Sequence, residues 1–81
     1  MIFRQLFDQE TSTYTYLLAP RAGGEAVIID PVLGATEMYI RLITELGLQL
    51  VFAMDTHTHA DHITALGTLR DRTACVTIMG E

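Results

Sequence analysis

The 81-residue sequence contains no lysine and only one cysteine, Cys75. A single thiol excludes an internal disulfide and, with no secretory signature, fits the reducing cytoplasm. The N-terminal stretch Met1–Arg4 carries a positive charge, but no continuous apolar run follows it, so we predict no signal peptide. No apolar run approaches the length of a membrane span. These absences predict a cytoplasmic protein that does not associate with a membrane.

Positive charge is also scarce. The basic residues are arginines spread along the chain, and ten acidic residues give a formal net charge of −5. Because no basic cluster is available to neutralise phosphates, nucleic-acid binding is excluded as an expected function. Hydrophobic residues make up 49% of the chain, which excludes a disordered segment. A chain of this length can form at most one small domain.

The hydrophobic period changes several times along the chain, which predicts alternating strands and helices. Alternating or β-branched stretches and continuous apolar runs predict five strands, at Ile2–Phe7, Thr13–Ala19, Glu25–Asp30, Leu48–Met54 and Ala74–Met79. The third is a continuous apolar run that ends in a carboxylate, which is typical of a strand buried on both faces, and the fourth is predicted to be a second buried strand.

Helical spacing is clearest between the third and fourth strands. Tyr39, Leu42, Ile43 and Leu46 recur at intervals of three and four residues, which predicts a helix from Ala35 to Leu46. Gly47 follows as the expected C′ residue of this helix. A second helix is predicted from Ile63 to Arg70.

The strand–helix–strand order from Glu25 to Met54 predicts a crossover that makes the two strands parallel. Parallel strands place their carboxyl ends at one edge of the sheet, where α/β proteins usually have their sites. Asp30 ends the first of these strands, and a polar, histidine-rich segment follows the second. We therefore expect Asp30 and the histidine segment to meet at this edge.

The histidine segment carries the strongest functional signal. All three histidines of the chain lie in the six-residue stretch His57-Thr58-His59-Ala60-Asp61-His62. One histidine in a polar turn is usually solvated, and Asp61 could simply cap the following helix. The complete spacing, directly after an apolar strand, instead predicts that His57, His59, Asp61 and His62 are metal ligands. Neutral imidazoles with a carboxylate suit zinc, iron or manganese.

This H-x-H-x-D-H motif resembles the signature of the metallo-β-lactamase superfamily. The wider sequence, from Phe3-Arg4-Gln5-Leu6-Phe7 through Ile29-Asp30-Pro31-Val32 to Asp61-His62-Ile63-Thr64, is similar to the persulfide dioxygenases. The resemblance implies an α/β fold, the N-terminal portion of a four-layered αβ/βα sandwich with its metal site at one edge. Residues 1–81 would be the N-terminal segment of one such domain, with the rest of the domain absent.

The resemblance also implies an activity. Persulfide dioxygenases use one non-haem Fe(II) to oxidise glutathione persulfide with O2 to sulfite and glutathione. His57 matches one of the three protein ligands of that iron, and the other two come from later motifs, beyond Glu81. In the mononuclear enzymes the positions of His59, Asp61 and His62 support the site, and Asp61 is our candidate catalytic residue. Asp30 either caps a turn or hydrogen-bonds to the histidine segment.

Two alternatives stay open. In dinuclear zinc relatives, His57 and His59 would serve one metal while Asp61 and His62 serve the other, as in a glyoxalase II-like thiolester hydrolase. The second alternative is a non-catalytic fragment, which binds metal weakly. A homo-oligomer is compatible with either. Tyr14, Tyr16 and Cys75 are interpreted as packing residues.

Overall fold

The computed structural model describes residues 1–56 and 65–79. Its five strands form one mixed sheet in chain order. They are β1 (Ile2–Asp8), β2 (Thr13–Ala19), β3 (Glu25–Ile29), β4 (Gln49–Asp55) and β5 (Val76–Met79). The helices are α1 (Thr36–Glu45), preceded by a 3-10 turn at Leu33–Ala35, and α2 (Leu66–Thr73). No helix in the described ranges is long and apolar enough to cross a membrane.

The central crossover has the predicted topology. Strands β1, β2 and β3 pair antiparallel, whereas β3 pairs parallel with β4 and β4 parallel with β5. Helix α1 connects β3 to β4 and ends as its sequence predicts, with Gly47 in the left-handed conformation at φ 67°. The N–H of Leu48 donates to Ile43 O and that of Gly47 to Thr44 O, which is the hydrogen-bond pair of a Schellman motif.

The observed boundaries differ from the predicted ones where local backbone geometry decides them. Strand β3 ends at Ile29 because Asp30 turns into the left-handed region, at φ 58°. Helix α2 runs to Thr73 instead of Arg70, and Ala74 ends it in a left-handed conformation. Strand β5 therefore begins at Val76 rather than at Ala74.

Both helices contribute to a single apolar core on one face of the sheet. Tyr39 and Ile43 of α1 and Leu66 and Leu69 of α2 belong to the same buried cluster as strand residues such as Ile28. Cys75 is also buried in this cluster, as its interpretation as a packing residue predicts. The core thus lies between the helices and the sheet.

The other face of the sheet is apolar but largely open, which corrects the expectation that β3 and β4 are buried on both faces. Strand pairing aligns a row of apolar side chains across all five strands, made of Phe3, Leu18, Val27, Phe52 and Val76. Phe3, Phe52 and Val76 are exposed, at 51%, 39% and 57%. We call this surface the open face.

An exposed ion pair joins the two helices. Arg72 Nη1 lies 2.6 Å from Glu37 Oε2, and the guanidinium lowers the pKa of Glu37 below its usual value of 4.5. A lowered carboxyl pKa contributes stability that is present at neutral pH and is lost as the pH falls through that pKa. Because the pair is exposed, its contribution is small.

Core packing leads to a first prediction. Leu69→Ala should lower the free energy of unfolding by about 2–5 kcal/mol, because Leu69 is 0% exposed and its loss leaves a cavity beneath the sheet. Urea denaturation measures this, at a protein concentration low enough to keep the chain monomeric. Met38→Ala, at a side chain that is 45% exposed, is the control and should change stability by no more than about 0.5 kcal/mol. Equal losses in the two variants would contradict the described core.

The open face leads to a second prediction. The isolated 81-residue chain should self-associate or precipitate, because a contiguous apolar surface of this kind is unfavourable in water. Phe52→Thr combined with Val76→Thr places a β-branched strand former at both positions and should shift the chain toward monomer in light scattering. Met38→Gln, on the helical side, should leave association unchanged. A monodisperse monomer for the unaltered chain would contradict the prediction.

Candidate metal site

The carboxyl ends of β3 and β4 are joined through the side chain of Asp30. Its Oδ1 accepts a hydrogen bond from the Thr56 N–H at 2.7 Å, and its Oδ2 accepts one from the Thr56 hydroxyl at 2.7 Å. The Asp30 N–H donates to Met54 O, also at 2.7 Å. Thr56 directly precedes His57, so the histidine segment begins at the edge where Asp30 lies. The expected meeting of the two strand ends is observed as far as Thr56.

Asp30 adopts a conformation that few side chains tolerate. At φ 58° it is in the left-handed region, where aspartate is favoured over most residues because its short polar side chain bonds locally. The turn brings both carboxylate oxygens to Thr56. The identity of this residue is therefore constrained by its backbone and by its hydrogen bonds at once.

A second hydrogen bond marks the other end of the histidine segment. The N–H of Ala65 donates to Pro31 O at 3.3 Å. The two residues that flank positions 57–64 are thus bonded to adjacent residues, Thr56 to Asp30 and Ala65 to Pro31. We call Asp30–Val32 the Asp30 turn.

Alanine at position 65 is compatible with the backbone conformation there. Ala65 has φ −89° and ψ 6°, so no positive φ requires glycine. Its methyl group is fully buried in the core cluster.

The predicted metal ligands themselves, His57, His59, Asp61 and His62, lie in positions 57–64, outside the described residues. Within 1–56 and 65–79 no group of three or more potential metal-ligating side chains comes together. Asp55 was not singled out from the sequence. It is 4% exposed at the end of β4, which places another carboxylate at the same edge.

Two further polar residues beneath the Asp30 turn were missed as functional candidates. Thr15 and Tyr39 are buried, and their hydroxyls reach the turn at Asp30 and Val32. The sequence placed Tyr39 only on the apolar face of its helix. The one available signal was that a buried phenol needs a hydrogen-bond partner.

A cleft of about 460 Å³ opens beside the Asp30–Thr56 contact. Its walls carry many hydroxyl groups and are formed by Thr11, Ser12, Thr13, Tyr14, Tyr16, Asp30 and Thr56. Tyr14 packs against Phe7 with ring centroids 4.8 Å apart, and Tyr16 packs against Phe3 at 5.8 Å. The two tyrosines are packing residues, as expected, and they also border this cleft.

Comparison with known proteins identifies the family. The model of the metallo-beta-lactamase superfamily matches residues 8–81. The chain belongs to this superfamily. The described five-stranded sheet with two helices corresponds to the N-terminal portion of its fold.

Individual relatives refine the comparison. The chain is 53% identical over 70 residues to the mitochondrial persulfide dioxygenase ETHE1 of Mus musculus, covering 86% of the chain and 28% of the relative. The crystal structure of ETHE1 from Myxococcus xanthus superposes with a TM-score of 0.87 at 55% identity, covering 95% of this chain and 34% of that one. The BLEG-1 B3 metallo-beta-lactamase superposes with a TM-score of 0.77 at 32% identity, covering 94% and 35%. The chain thus spans about a third of the length of these relatives.

The Asp30 contacts generate a third prediction. Asp30→Ala should lower the free energy of unfolding by about 3 kcal/mol, because it removes two charge-assisted hydrogen bonds and places alanine at a positive φ. Asp30→Asn should cost roughly 1 kcal/mol, since asparagine tolerates this φ and can still accept from the Thr56 N–H. Thermal and urea unfolding of the Asp30→Ala and Asp30→Asn variants test this ranking of stabilities. Equal stability of the Ala and Asn variants would contradict the described contacts.

Proposed function

We propose that this chain is the metal-binding segment of a persulfide dioxygenase that oxidises glutathione persulfide with O2 to sulfite and glutathione. The observation that carries the proposal is the combination of the H-x-H-x-D-H sequence with identity above 50% to proteins named persulfide dioxygenase. The Asp30–Thr56 contact supports it, since it fixes the residue before His57 at the carboxyl edge of the sheet.

The donor set of residues 57–62 fits Fe(II), the metal that the resemblance implies. Imidazole and carboxylate ligands with open positions are typical of non-haem iron oxygenases. Bound Fe(II) would supply redox chemistry toward O2 and the persulfide. In this proposal His57 is a metal ligand, and His59, Asp61 and His62 stabilise the site. Asp61 is also the candidate catalytic residue.

The described residues have two roles in this proposal. Thr56, held by the Asp30 carboxylate, restricts the backbone that leads into His57, which limits the positions that its imidazole can take. The neighbouring cleft offers the hydroxyl group of Ser12 to a polar thiol substrate, whereas the hydroxyls of Thr11 and Thr13 bond to each other and to Asp8 and Thr11 O. The single buried thiol is compatible with a reducing compartment, and a cytoplasmic location remains part of the proposal.

A dinuclear zinc hydrolase of the glyoxalase II type is the second candidate. Its basis is the likeness to the BLEG-1 metallo-beta-lactamase, which shares this N-terminal fold, as ETHE1 also does. Four ligands from residues 57–62 would then bind two zinc ions that activate a bridging hydroxide. Taken alone, the 81-residue chain should bind Fe(II) weakly and show no persulfide oxidation, since the family's mononuclear site takes only one ligand from this loop.

Two substitutions in the full-length protein separate these functions, which is our fourth prediction. His57→Ala should abolish iron retention and O2 consumption with glutathione persulfide, because it removes one of three protein ligands. Asp61→Asn should retain iron and lower turnover less, because in a mononuclear site Asp61 is not a ligand. Iron content and O2 uptake are measured on protein purified without oxygen.

Phe52→Thr, on the open face and away from the carboxyl edge, is the control for a general loss of folding. Equal metal loss in the His57 and Asp61 variants would favour the dinuclear hydrolase. Full O2 uptake in His57→Ala would exclude the proposed ligand.

A further inference from the structure

The backbone of the Asp30 turn is hydrogen-bonded to two buried hydroxyl groups, on Thr15 of β2 and Tyr39 of α1. These residues are only 1% and 2% exposed. The Thr15 hydroxyl lies 2.7 Å from Asp30 O and 3.1 Å from the Tyr39 hydroxyl. The N–H of Val32 lies 3.0 Å from the same Tyr39 oxygen. Both ends of the turn therefore contact this pair of side chains.

The protons in this network can be arranged in only one way. A carbonyl oxygen can only accept, so the single Thr15 hydroxyl proton is donated to Asp30 O. Thr15 Oγ1 must then accept from the phenol of Tyr39, whose oxygen accepts from the Val32 N–H. The hydrogen bonds run in one direction, from Val32 through Tyr39 and Thr15 to Asp30. Such a directed chain in a buried environment strengthens each of its members.

Holding the Asp30 turn in place also holds the two acceptor groups that bond to the residues flanking the histidine segment. The same turn accepts hydrogen bonds from Thr56 through the Asp30 carboxylate and from the Ala65 N–H through the Pro31 carbonyl. A rotation of the turn would move both acceptors together. The orientation of the turn therefore sets the positions of the two residues that flank 57–64.

We propose that Thr15 and Tyr39 are positioning residues for the metal site, which act through the Asp30 turn on both ends of the ligand-bearing segment. The proposal rests on the proposed function for the metal. Its mechanical part, control of Thr56 and Ala65 by two buried hydroxyls, holds without any metal. Loss of supporting hydrogen bonds around metal ligands typically lowers metal affinity 10–100-fold, and we expect about tenfold for these more remote residues.

The fifth prediction concerns Tyr39→Phe and Thr15→Val in the full-length protein. Each variant removes one hydroxyl and keeps the shape of the side chain. Ile43→Val is the matched control, because it removes a methylene group from the same core and the same helix without touching the network. Thr44→Val is a second control, which removes an exposed hydroxyl that donates to Ile40 O within α1.

Two measurements distinguish positioning from general stability. Amide hydrogen exchange at Thr56 and Ala65 in metal-free protein should accelerate about tenfold more in Tyr39→Phe and Thr15→Val than in Ile43→Val, because losing one buried hydrogen bond makes local opening about tenfold more frequent. In an anaerobic Co(II) titration the same two variants should bind about tenfold more weakly, with shifted visible d–d bands. Both controls should keep the spectrum of the unaltered protein.

Exchange rates and Co(II) spectra that match those of Ile43→Val would overturn the proposal and leave Thr15 and Tyr39 with packing roles only. If the unaltered protein binds no Co(II), the proposed metal function fails, and the exchange rates alone then decide the positioning role. If one variant does not fold, the other decides, since each removes a link of the same chain.

Discussion

The carboxylate of Asp30 connects the two central strands at the point where the chain enters its histidine segment. Both of its oxygens accept from one residue, Thr56, and its backbone N–H bonds to Met54. These bonds require a left-handed backbone at Asp30, which also ends β3 and directs the chain into the 3-10 turn and α1. Asp30 thus ends β3, begins the crossover to α1, and holds Thr56, the residue after β4 from which the histidine segment continues.

The two faces of the sheet differ in what covers them. One face is covered by α1 and α2, and this side contains the core together with the buried hydroxyls of Thr15 and Tyr39. The open face carries a row of apolar residues that no described element covers. In our proposal the metal site lies at the carboxyl edge between these faces, so its geometry would depend on the packing of the covered side, while self-association would depend on the open face.

Periodicity and spacing predicted much of the architecture from the sequence. The apolar face of α1, the C′ role of Gly47 and the parallel pairing of β3 with β4 are all observed. The misplaced boundaries at Asp30 and Ala74 depend on single left-handed residues, which hydrophobic patterns do not report. Burial of β3 and β4 on both faces was wrong because an apolar run indicates what a strand can bury, not whether a covering layer is present.

The sequence predicts which residue types would bind a metal, and this stays a prediction, but it gave no indication of the residues that support the Asp30 turn. The H-x-H-x-D-H spacing identifies candidate ligands by chemistry alone, and their arrangement stays a prediction. Thr15 and Tyr39 are separated by 24 positions, and nothing local in the sequence links them. Their hydroxyl groups meet because β2 packs against α1, and both then hydrogen-bond to the Asp30 turn. This contact exists only in the folded structure.

Metal content of the full-length protein tests the central functional claim most directly. The protein should be purified without oxygen, loaded with Fe(II) and, in a separate sample, with Zn(II), and its metal content per chain measured by elemental mass spectrometry. A mononuclear persulfide dioxygenase should retain about one iron per chain, as expected for a site with one histidine contributed by this segment. Two zinc ions per chain, with no retained iron, would contradict the account and establish a dinuclear hydrolase site instead.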